Sequence, residues 1–411
     1  MTAQRPAGPA VAPALTLPLP RLRIAVLNRN FDPAGGGAER YSIALVEHLA
    51  ARHDLHVFAQ TIRHQWPGVV YHAVPVLFRR PRWINQLWFA WATARATRQG
   101  FDLVHSHENT WHGQIQTIHV LPIRYKLFIG LAGAPRVLRW IKVLTSPRLL
   151  AYLWLEKARY RQTPGKALVV TSASLQEVMV KTHPGVRTLL HLLTPGVNAV
   201  TGRASDAEKI QARRQLGLPL AAPLVLFVGN DYRKKGLPTL VAALASMPAE
   251  VQLVVVGNGA HAAAFSADVA ALGLNGRVHF LGSLPDVTPA YVAADVLAHP
   301  TLEDTFAMVV LEAMSHGLPV VVSAARYCGI SALLTHGANA MLLDEPQNPV
   351  VVANALQSIL SSPQVSAAMS DAATEFAGQH SWTDVARRQD ELYALAMQLK
   401  NDSEANINIF N

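Results

Sequence analysis

Cysteine is almost missing from this chain: Cys328 stands alone among 411 residues. A single thiol excludes an internal disulfide and gives no basis for a zinc cluster. A reducing compartment suits such a chain. No run of about 18 uncharged apolar residues occurs, so no spanning helix is expected. The opening MTAQRPAGPAVAPALTLPLP holds one arginine and too many prolines for the apolar region of a signal peptide. It reads as a disordered leader over residues 1–22. Acids are scarce in the first half. Residues 1–196 carry 24 Lys and Arg against 8 Asp and Glu, a net +16, whereas residues 197–411 carry 12 against 19, a net −7. Such asymmetry points to an anionic partner for the first half: nucleic acid, an anionic membrane surface or a phosphorylated acceptor.

What the chain has is apolar material in repeating order. It is 50% apolar and 15% charged, with length for two domains of ordinary size. RIAVLN predicts a strand, FDPAGGGAER a glycine-rich turn, YSIALVEHLAARH an amphipathic helix and LHVFAQ a second strand. That is a βαβ unit of the doubly wound kind. FDLVHSH and ALVVTSA continue it. The second half restarts the pattern with PLVLFVG, LPTLVAALASM and VQLVVVG, then VHFLG, ADVLAHP and PVVVS. The expectation is an α/β chain of two Rossmann-like domains, residues 23–196 and 197–385. LTPGVN, Leu193 to Asn198, is the hinge between them. Residues 386–411 form a final helix crossing back to the first domain, then a tail.

Two segments of the first domain break the pattern. RRPRWINQLWFAWATARATR, Arg79 to Arg98, mixes arginine with three tryptophans, and RVLRWIKVLTSPRLLAYLWLEKARYR, Arg136 to Arg161, has the same flavour. A basic amphipathic helix with tryptophan suits an interfacial membrane contact, its cations toward anionic lipid. Arg79, Arg80, Arg82, Trp83 and Trp88 are the candidate membrane or acceptor residues. Ordinary surface helices with tryptophans turned into the core are the alternative.

Two glycine loops follow strands and precede helices. GGGAER, Gly35 to Arg40, lets backbone approach a phosphate, and the helix start beyond it offers free N–H groups. It is not the dinucleotide pattern and no acid follows in VFAQ, so a nicotinamide cofactor is not expected; a tight turn alone would also explain the glycines. In VGNDYRKKG, Arg233, Lys234 and Lys235 crowd one loop tip. Like charges so close repel unless an anion or water screens them, so the loop reads as a diphosphate site or as a solvated turn.

EDTFAMVVLEAMSHGLPVVVS places Asp304 and Glu312 eight positions apart around an apolar run. A helix running to about His316 is expected, with Gly317 at its C-cap and Pro319 as the stop. If both acids were helical their backbones would stand ~12 Å apart at ~1.5 Å per residue. That is too far for a carboxylate pair flanking one glycosidic bond, which needs roughly 5–9.5 Å. They suit the two ends of one extended ligand, with phosphates at the helix start between them.

These residues carry a resemblance. GGGAERY, DLVHSHEN, LTPGVN, VGNDYRKKG and HPTLEDTFAMVVLEAMSHGLPVVVS resemble glycosyltransferase family 4, over nearly all of the chain after residue 22. GNDYRKKG, ALASMP and YCG are most similar to the bacterial enzymes that add glucose to the heptose of lipopolysaccharide core. The resemblance implies the GT-B fold, two facing Rossmann-like domains with a cleft between them. It implies a nucleotide-sugar donor, UDP-glucose first among them, and a lipopolysaccharide-core or other lipid-linked glycan acceptor. It also implies a cytoplasmic protein, peripheral on the inner face of the cytoplasmic membrane. By resemblance Glu312 binds the ribose hydroxyls. Asp304, in place of the usual glutamate, contacts the donor sugar, with Glu303 beside it as a possible substitute. The amides of Phe306, Ala307 and Met308 hold phosphate and sugar. Lys235 neutralises the diphosphate, with Arg233 or Lys234 replacing the arginine that the family places where Asn230 stands. Gly36 and Gly37 admit the phosphates, and His107 touches the donor sugar. Thr305 and Ala307 stand where glycines are common.

The sequence has no D-x-D, the usual acidic anchor for a divalent metal on a nucleotide sugar, so no metal or other cofactor is expected. Cations and amide dipoles must then meet the charge developing on the leaving diphosphate. By resemblance the reaction retains the anomeric configuration and runs on one face. His107, Asp304 and Lys235 are the catalytic candidates, with a general-base role for His107 as a competing assignment. Mannosyl or other hexosyl transfer in exopolysaccharide synthesis is the nearest alternative. A UDP-sugar epimerase and an inactive membrane-associated scaffold stand further off. Two phosphate-cradling loops in one cleft need a small ligand, which argues against nucleic acid.

Overall fold

The computed structural model describes residues 20–257 and 262–409. Most of the leader, residues 1–19, lies outside them, but Leu22 is already core, 5% exposed. Its amide donates to His53 Nδ1.

Among the described residues the first domain has strands β1 (Arg23–Leu27), β2 (Asn30–Phe31), β3 (Asp54–Ala59), β4 (Thr61–Ile62), β5 (Val70–Ala73), β6 (Leu103–Ser106), β7 (Ile115–Ile118), β8 (Ala167–Val170) and β9 (Leu190–Leu192). Seven of them form one parallel sheet in the order β5-β3-β1-β6-β7-β8-β9, with β2 and β4 paired apart. The second domain has β10 (Leu224–Val228), β11 (Gln252–Val256), β12 (Val278–Gly282), β13 (Val296–His299), β14 (Val320–Ser323) and β15 (Met341–Leu343), in the order β12-β11-β10-β13-β14-β15. Runs such as LVLFV and LVVV are buried on both faces, as parallel sheets under helices require. The strand order reverses between β1 and β6 and between β10 and β13. Ligands bind outside the carboxyl ends of the strands at such switch points. Both glycine loops and the Asp304 loop follow strands at those points.

The two domains are joined twice, side by side. The Val197 amide donates to His380 O at 2.8 Å and the Trp382 amide returns to Val197 O at 3.2 Å. Gly196 fits this crossing because a Cβ there would stand 2.5 Å from the Ser381 carbonyl carbon. The hinge expected at Leu193–Asn198 is therefore half of a paired crossing. The returning helix runs Trp382–Ile409 and belongs to the first domain from its first turn, since Trp382 and Val385 already pack in that domain's core. It is pinned there by Asp390, paired with His53 at 3.0 Å, and by Tyr393, whose hydroxyl shares a hydrogen bond with buried His105 at 2.7 Å.

Candidate active site

A cleft of about 500 Å³ lies between the domains, walled by residues 33–41 of the first and by the loops after β10 and β13 of the second. The glycine loop leads into the helix Gly37–Leu49. The carboxylate of Glu39 turns back to accept the Gly36 amide at 2.8 Å, which fixes the helix start. A Cβ on Gly36 would stand 3.1 Å from that carboxylate, and one on Gly37 would meet Met308 of the facing domain at 3.8 Å. The loop is thus close-packed on one side and open to the cleft on the other.

The cationic loop sorts its charges. Tyr232 is buried at 1% exposure, which turns Arg233 outward, exposed and off the cleft wall. That differs from the expectation that Arg233 helps bind the donor. Lys234 and Lys235 face inward. Lys234 Nζ donates to Glu303 Oε1 at 2.5 Å and Lys235 Nζ donates to Asp304 Oδ2. The expected crowding of three like charges is relieved by acids and solvent. Gly236 has φ +82, and a Cβ there would lie 1.9 Å from Pro300 O, so only glycine fits where this loop crosses the end of β13.

Asp304 is the hub of the second domain's wall. Its Oδ2 also accepts from His299 Nε2 at 3.1 Å, and its Oδ1 accepts the Phe306 and Ala307 amides at 3.3 and 2.9 Å. Burial alone would raise this carboxyl, but the His299 hydrogen bond and the Lys235 ammonium outweigh it and hold it well below the usual carboxylate range. Two of the three amides expected to face phosphate and sugar are therefore engaged by Asp304, which leaves Met308 at the helix start. Glu303 lines the cleft beside it and bridges Lys234 to Lys126 of the first domain, the latter at 2.9 Å.

The helix begins at Met308 and ends at Ser315, next to the end expected at about His316. Asp304 lies in the loop before it, so the straight-helix spacing does not apply. The start is set by Ala307, whose φ of +73 makes it the one non-glycine residue with positive φ among the described residues. Glu312 sits one turn beyond Met308. It is not part of the cleft wall; its Oε2 accepts from Arg40 Nη1 of the first domain at 3.0 Å and from the Tyr291 hydroxyl at 2.8 Å.

Two histidines line the cleft, His119 and His299, and neither is the expected His107. His107 lies behind the wall, 9% exposed, sharing a hydrogen bond of 3.0 Å with His119 Nε2. His119 follows β7 and lines the cleft, and its carbonyl accepts from Thr305 Oγ1 of the facing domain at 2.8 Å. Its strand, IQTI, is too short and too mixed in polarity to stand out in the sequence; a lone imidazole after it at the carboxyl edge was the available signal. Burial holds His119 near a pKa of about 3, with Arg159 adding to the effect, and pushes His107 well below its ordinary value. Both imidazoles are neutral at pH 7. One is an acceptor held by its neighbour's N–H, a state suited to taking or relaying a hydrogen bond rather than carrying charge.

Of the basic tryptophan segments, the helix Arg82–Ala96 keeps Arg79, Arg80 and Arg82 exposed beside it, but Trp83 is half-buried and Trp88 donates its ring N–H to Pro75 O at 2.8 Å. The helix Gly133–Leu144 is the more amphipathic of the two. It exposes Val137, Leu138, Trp140, Ile141 and Leu144, Leu138 at 66%, among Arg136, Arg139 and Lys142. No helix among the described residues is long and apolar enough to cross a membrane.

Comparison with known proteins agrees with this architecture. Residues 35–200 match the Glycosyltransferase Family 4 model and residues 208–376 the model for glycosyl transferases group 1. A D-inositol 3-phosphate glycosyltransferase of Corynebacterium kroppenstedtii is 32% identical over 222 residues, 51% of this chain and 49% of that protein. The chain spans about half the length of the curated relatives it matches. WaaG, a glycosyltransferase involved in lipopolysaccharide biosynthesis, superposes with a TM-score of 0.78 at 22% identity, over 90% of this chain and 99% of that one, a likeness of fold. Sucrose-phosphate synthase from Thermosynechococcus elongatus superposes with a TM-score of 0.73 at 26% identity, over 91% and 98%. With both domain models matched in order across the two halves of a GT-B fold, the chain belongs to the family 4 glycosyltransferases.

Proposed function

We propose that this protein moves a hexose, glucose from UDP-glucose in the first instance, from a nucleoside diphosphate sugar to a lipopolysaccharide-core or other lipid-linked glycan acceptor, with retention at the anomeric carbon. The observation that carries the reading is the convergence in one cleft of the Gly35–Gly37 loop, Lys234, Lys235 and the start of the helix Met308–Ser315. A glycine loop, two ammonium groups and a helix N-terminus suit a diphosphate. In this reading Asp304 takes sugar hydroxyls, and Glu312, off the cleft wall and bonded to Arg40, reaches a ribose with its second carboxylate oxygen.

In this reading Lys235 meets the negative charge that grows on the leaving diphosphate, and Lys234 adds to it at longer range. The acceptor hydroxyl attacks the anomeric carbon as its bond to the diphosphate breaks, and the leaving phosphate takes the hydroxyl's proton on the same face, so no nucleophile or base from the protein is required. His119 accepts or donates a hydrogen bond at the sugar and His107 fixes its tautomer. No metal is invoked, since the sequence offers no D-x-D and Lys235 supplies the charge.

The acceptor is read as lipid-borne because the first domain is cationic and its helix Gly133–Leu144 presents an apolar face ringed by Arg136, Arg139 and Lys142. In this reading the enzyme works as a peripheral protein at the inner face of the cytoplasmic membrane. The D-inositol 3-phosphate glycosyltransferases among its relatives support a second reading, a phosphorylated acceptor of small size. Mannosyl or other hexosyl transfer stays within the same geometry, and an inactive scaffold is the reading without chemistry. Incubation with labelled UDP-glucose and extracted membrane glycolipid, in EDTA, tests the proposal. Label in the lipid fraction supports it. Label in none of the acceptors, with UDP-, GDP- or ADP-sugars alike, overturns it in favour of the scaffold.

A further inference from the structure

At the opposite edge of the first sheet lies a second cavity, of about 1170 Å³, which the proposed reaction does not use. β7 and β8 run between the two. Gln114 and Lys166 precede these strands and line the second cavity, while His119 and Thr171 follow them and line the cleft. Five residue steps of about 3.3 Å put the two edges roughly 16 Å apart.

The lining is cationic and aromatic. Lys157, Arg161, Lys166 and Lys400 contribute, and no carboxylate does among the described residues. Trp111 and Trp154 stand at its mouth with ring centroids 5.6 Å apart. Lys166 is the decisive group. It is 5% exposed, and the charge that reaches it is the like charge of Arg159. Its ammonium has no acceptor or acid partner among the described residues. The nitrogen itself is not sealed from solvent, so the ammonium opens on the cavity, where an anion would offset the like charge beside it. His112 adds to this, since both of its ring nitrogens are buried without a hydrogen-bond partner. A chain that maintains unpaired polar groups around an open cavity leaves them for a ligand.

We propose that this cavity is a second anion site, taking the phosphate of a phosphorylated sugar or sugar-like headgroup on Lys166 and Lys157, with the ring against Trp111 and Trp154. Ammonium groups and Arg161 supply charge-assisted hydrogen bonds to a phosphate, and the indole faces suit the flat apolar side of a pyranose. The site lies beside the helix Pro147–Arg159, so the same headgroup chemistry is available from lipid or from solution.

The test uses the full chain and two variants. Lys157→Gln with Arg161→Gln alters two exposed rim residues, so folding is kept, and Lys235→Met disables the cleft instead. Glucose 6-phosphate is titrated while tryptophan fluorescence is followed. The expected result is a saturable change that weakens at least tenfold in the rim variant and persists in the Lys235→Met chain. Absence of any change, or a change lost in the cleft variant and intact in the rim variant, overturns the proposal without touching the reading of the cleft. Co-sedimentation with phosphatidylglycerol vesicles then separates the sources. Loss in the rim variant assigns the site to lipid headgroups, and sedimentation equal to wild type assigns it to a soluble sugar phosphate.

Discussion

Arg40 of the first domain donates to Glu312 of the second at 3.0 Å, and Tyr291 donates to the same oxygen. One carboxylate oxygen of Glu312 thus takes both bonds, one of them across the domain interface. The domains are further tied by Lys126 on Glu303, by Thr305 on the His119 carbonyl and by Asn230 on Gly35 O. Several of these side chains, Arg40, Glu303, Thr305 and Asn230, also line the cleft.

If the free oxygen of Glu312 takes a ribose hydroxyl, its removal is felt in nucleotide affinity. Hydrogen bonds to a charged group contribute about 1.5–3 kcal/mol. Glu312→Ala should therefore weaken UDP binding by roughly tenfold or more. Calorimetry returning an unchanged affinity would remove Glu312 from the donor site.

Lys235 is asked to stabilise charge that exists fully only in the transition state. Lys235→Met should lower kcat by about 10²–10³, the range for removing one such group. KM for the donor should change much less. Lys234→Met, whose partner Glu303 is shared with Lys126, should cost less. Equal losses from both, or none from Lys235→Met, would contradict the roles given to them.

The buried histidines make stability depend on acid. His105 and His119 are held at about 3, mainly by burial, and His107 well below its ordinary value. Unfolded, each titrates near 6.5. Lowered folded-state values mean that the unfolded chain binds more protons, so stability rises with pH in this window. Each histidine contributes stability that is fully present above the unfolded value and is lost at up to about 1.4 kcal/mol per pH unit as pH falls from there toward the lowered folded value. Asp304, with a lowered acid value, adds its loss only below the ordinary carboxylate range. Urea unfolding at pH 7 and pH 5 should show a clear loss at pH 5, and the slope should shrink in His119→Gln. Stability that is flat or higher at pH 5 would contradict this.

Ala307 carries backbone strain. Its φ of +73 lies in the left-handed region, which costs a non-glycine residue roughly 1–2 kcal/mol. Glycine returns part of that gain as unfolded-state entropy, about 0.5–1 kcal/mol. Ala307→Gly should therefore leave the melting temperature unchanged or raise it by a few degrees. Ala307→Val should lower it. A marked fall with glycine would show that the Ala307 methyl is a packing group first.

Much of this was legible in the sequence. The strands of both sheets that carry long apolar runs, the hinge at Pro195–Gly196, the two glycine loops and the cap at Gly317 all follow from local rules of period and punctuation. What was not legible depended on partners far along the chain. The engagement of Glu312 by Arg40 joins residues 272 positions apart. Arg233 turns outward only because Tyr232 fills a core pocket. His119 was hidden by the shortness of its strand, four residues of mixed polarity, which left His107 as the visible histidine. Asp304 caps the Phe306 and Ala307 amides from within the loop before Met308, a bond that no periodicity reveals.

The central claim is that the cleft binds a nucleoside diphosphate sugar through Lys235, the glycine loop and the helix start. Calorimetric titration of the full chain with UDP-glucose in EDTA tests it most directly. One binding event that Glu312→Ala weakens at least tenfold and Lys235→Met weakens by less is the predicted result. No binding of UDP-glucose, nor of GDP- or ADP-sugars under the same conditions, or binding indifferent to both substitutions, would contradict it.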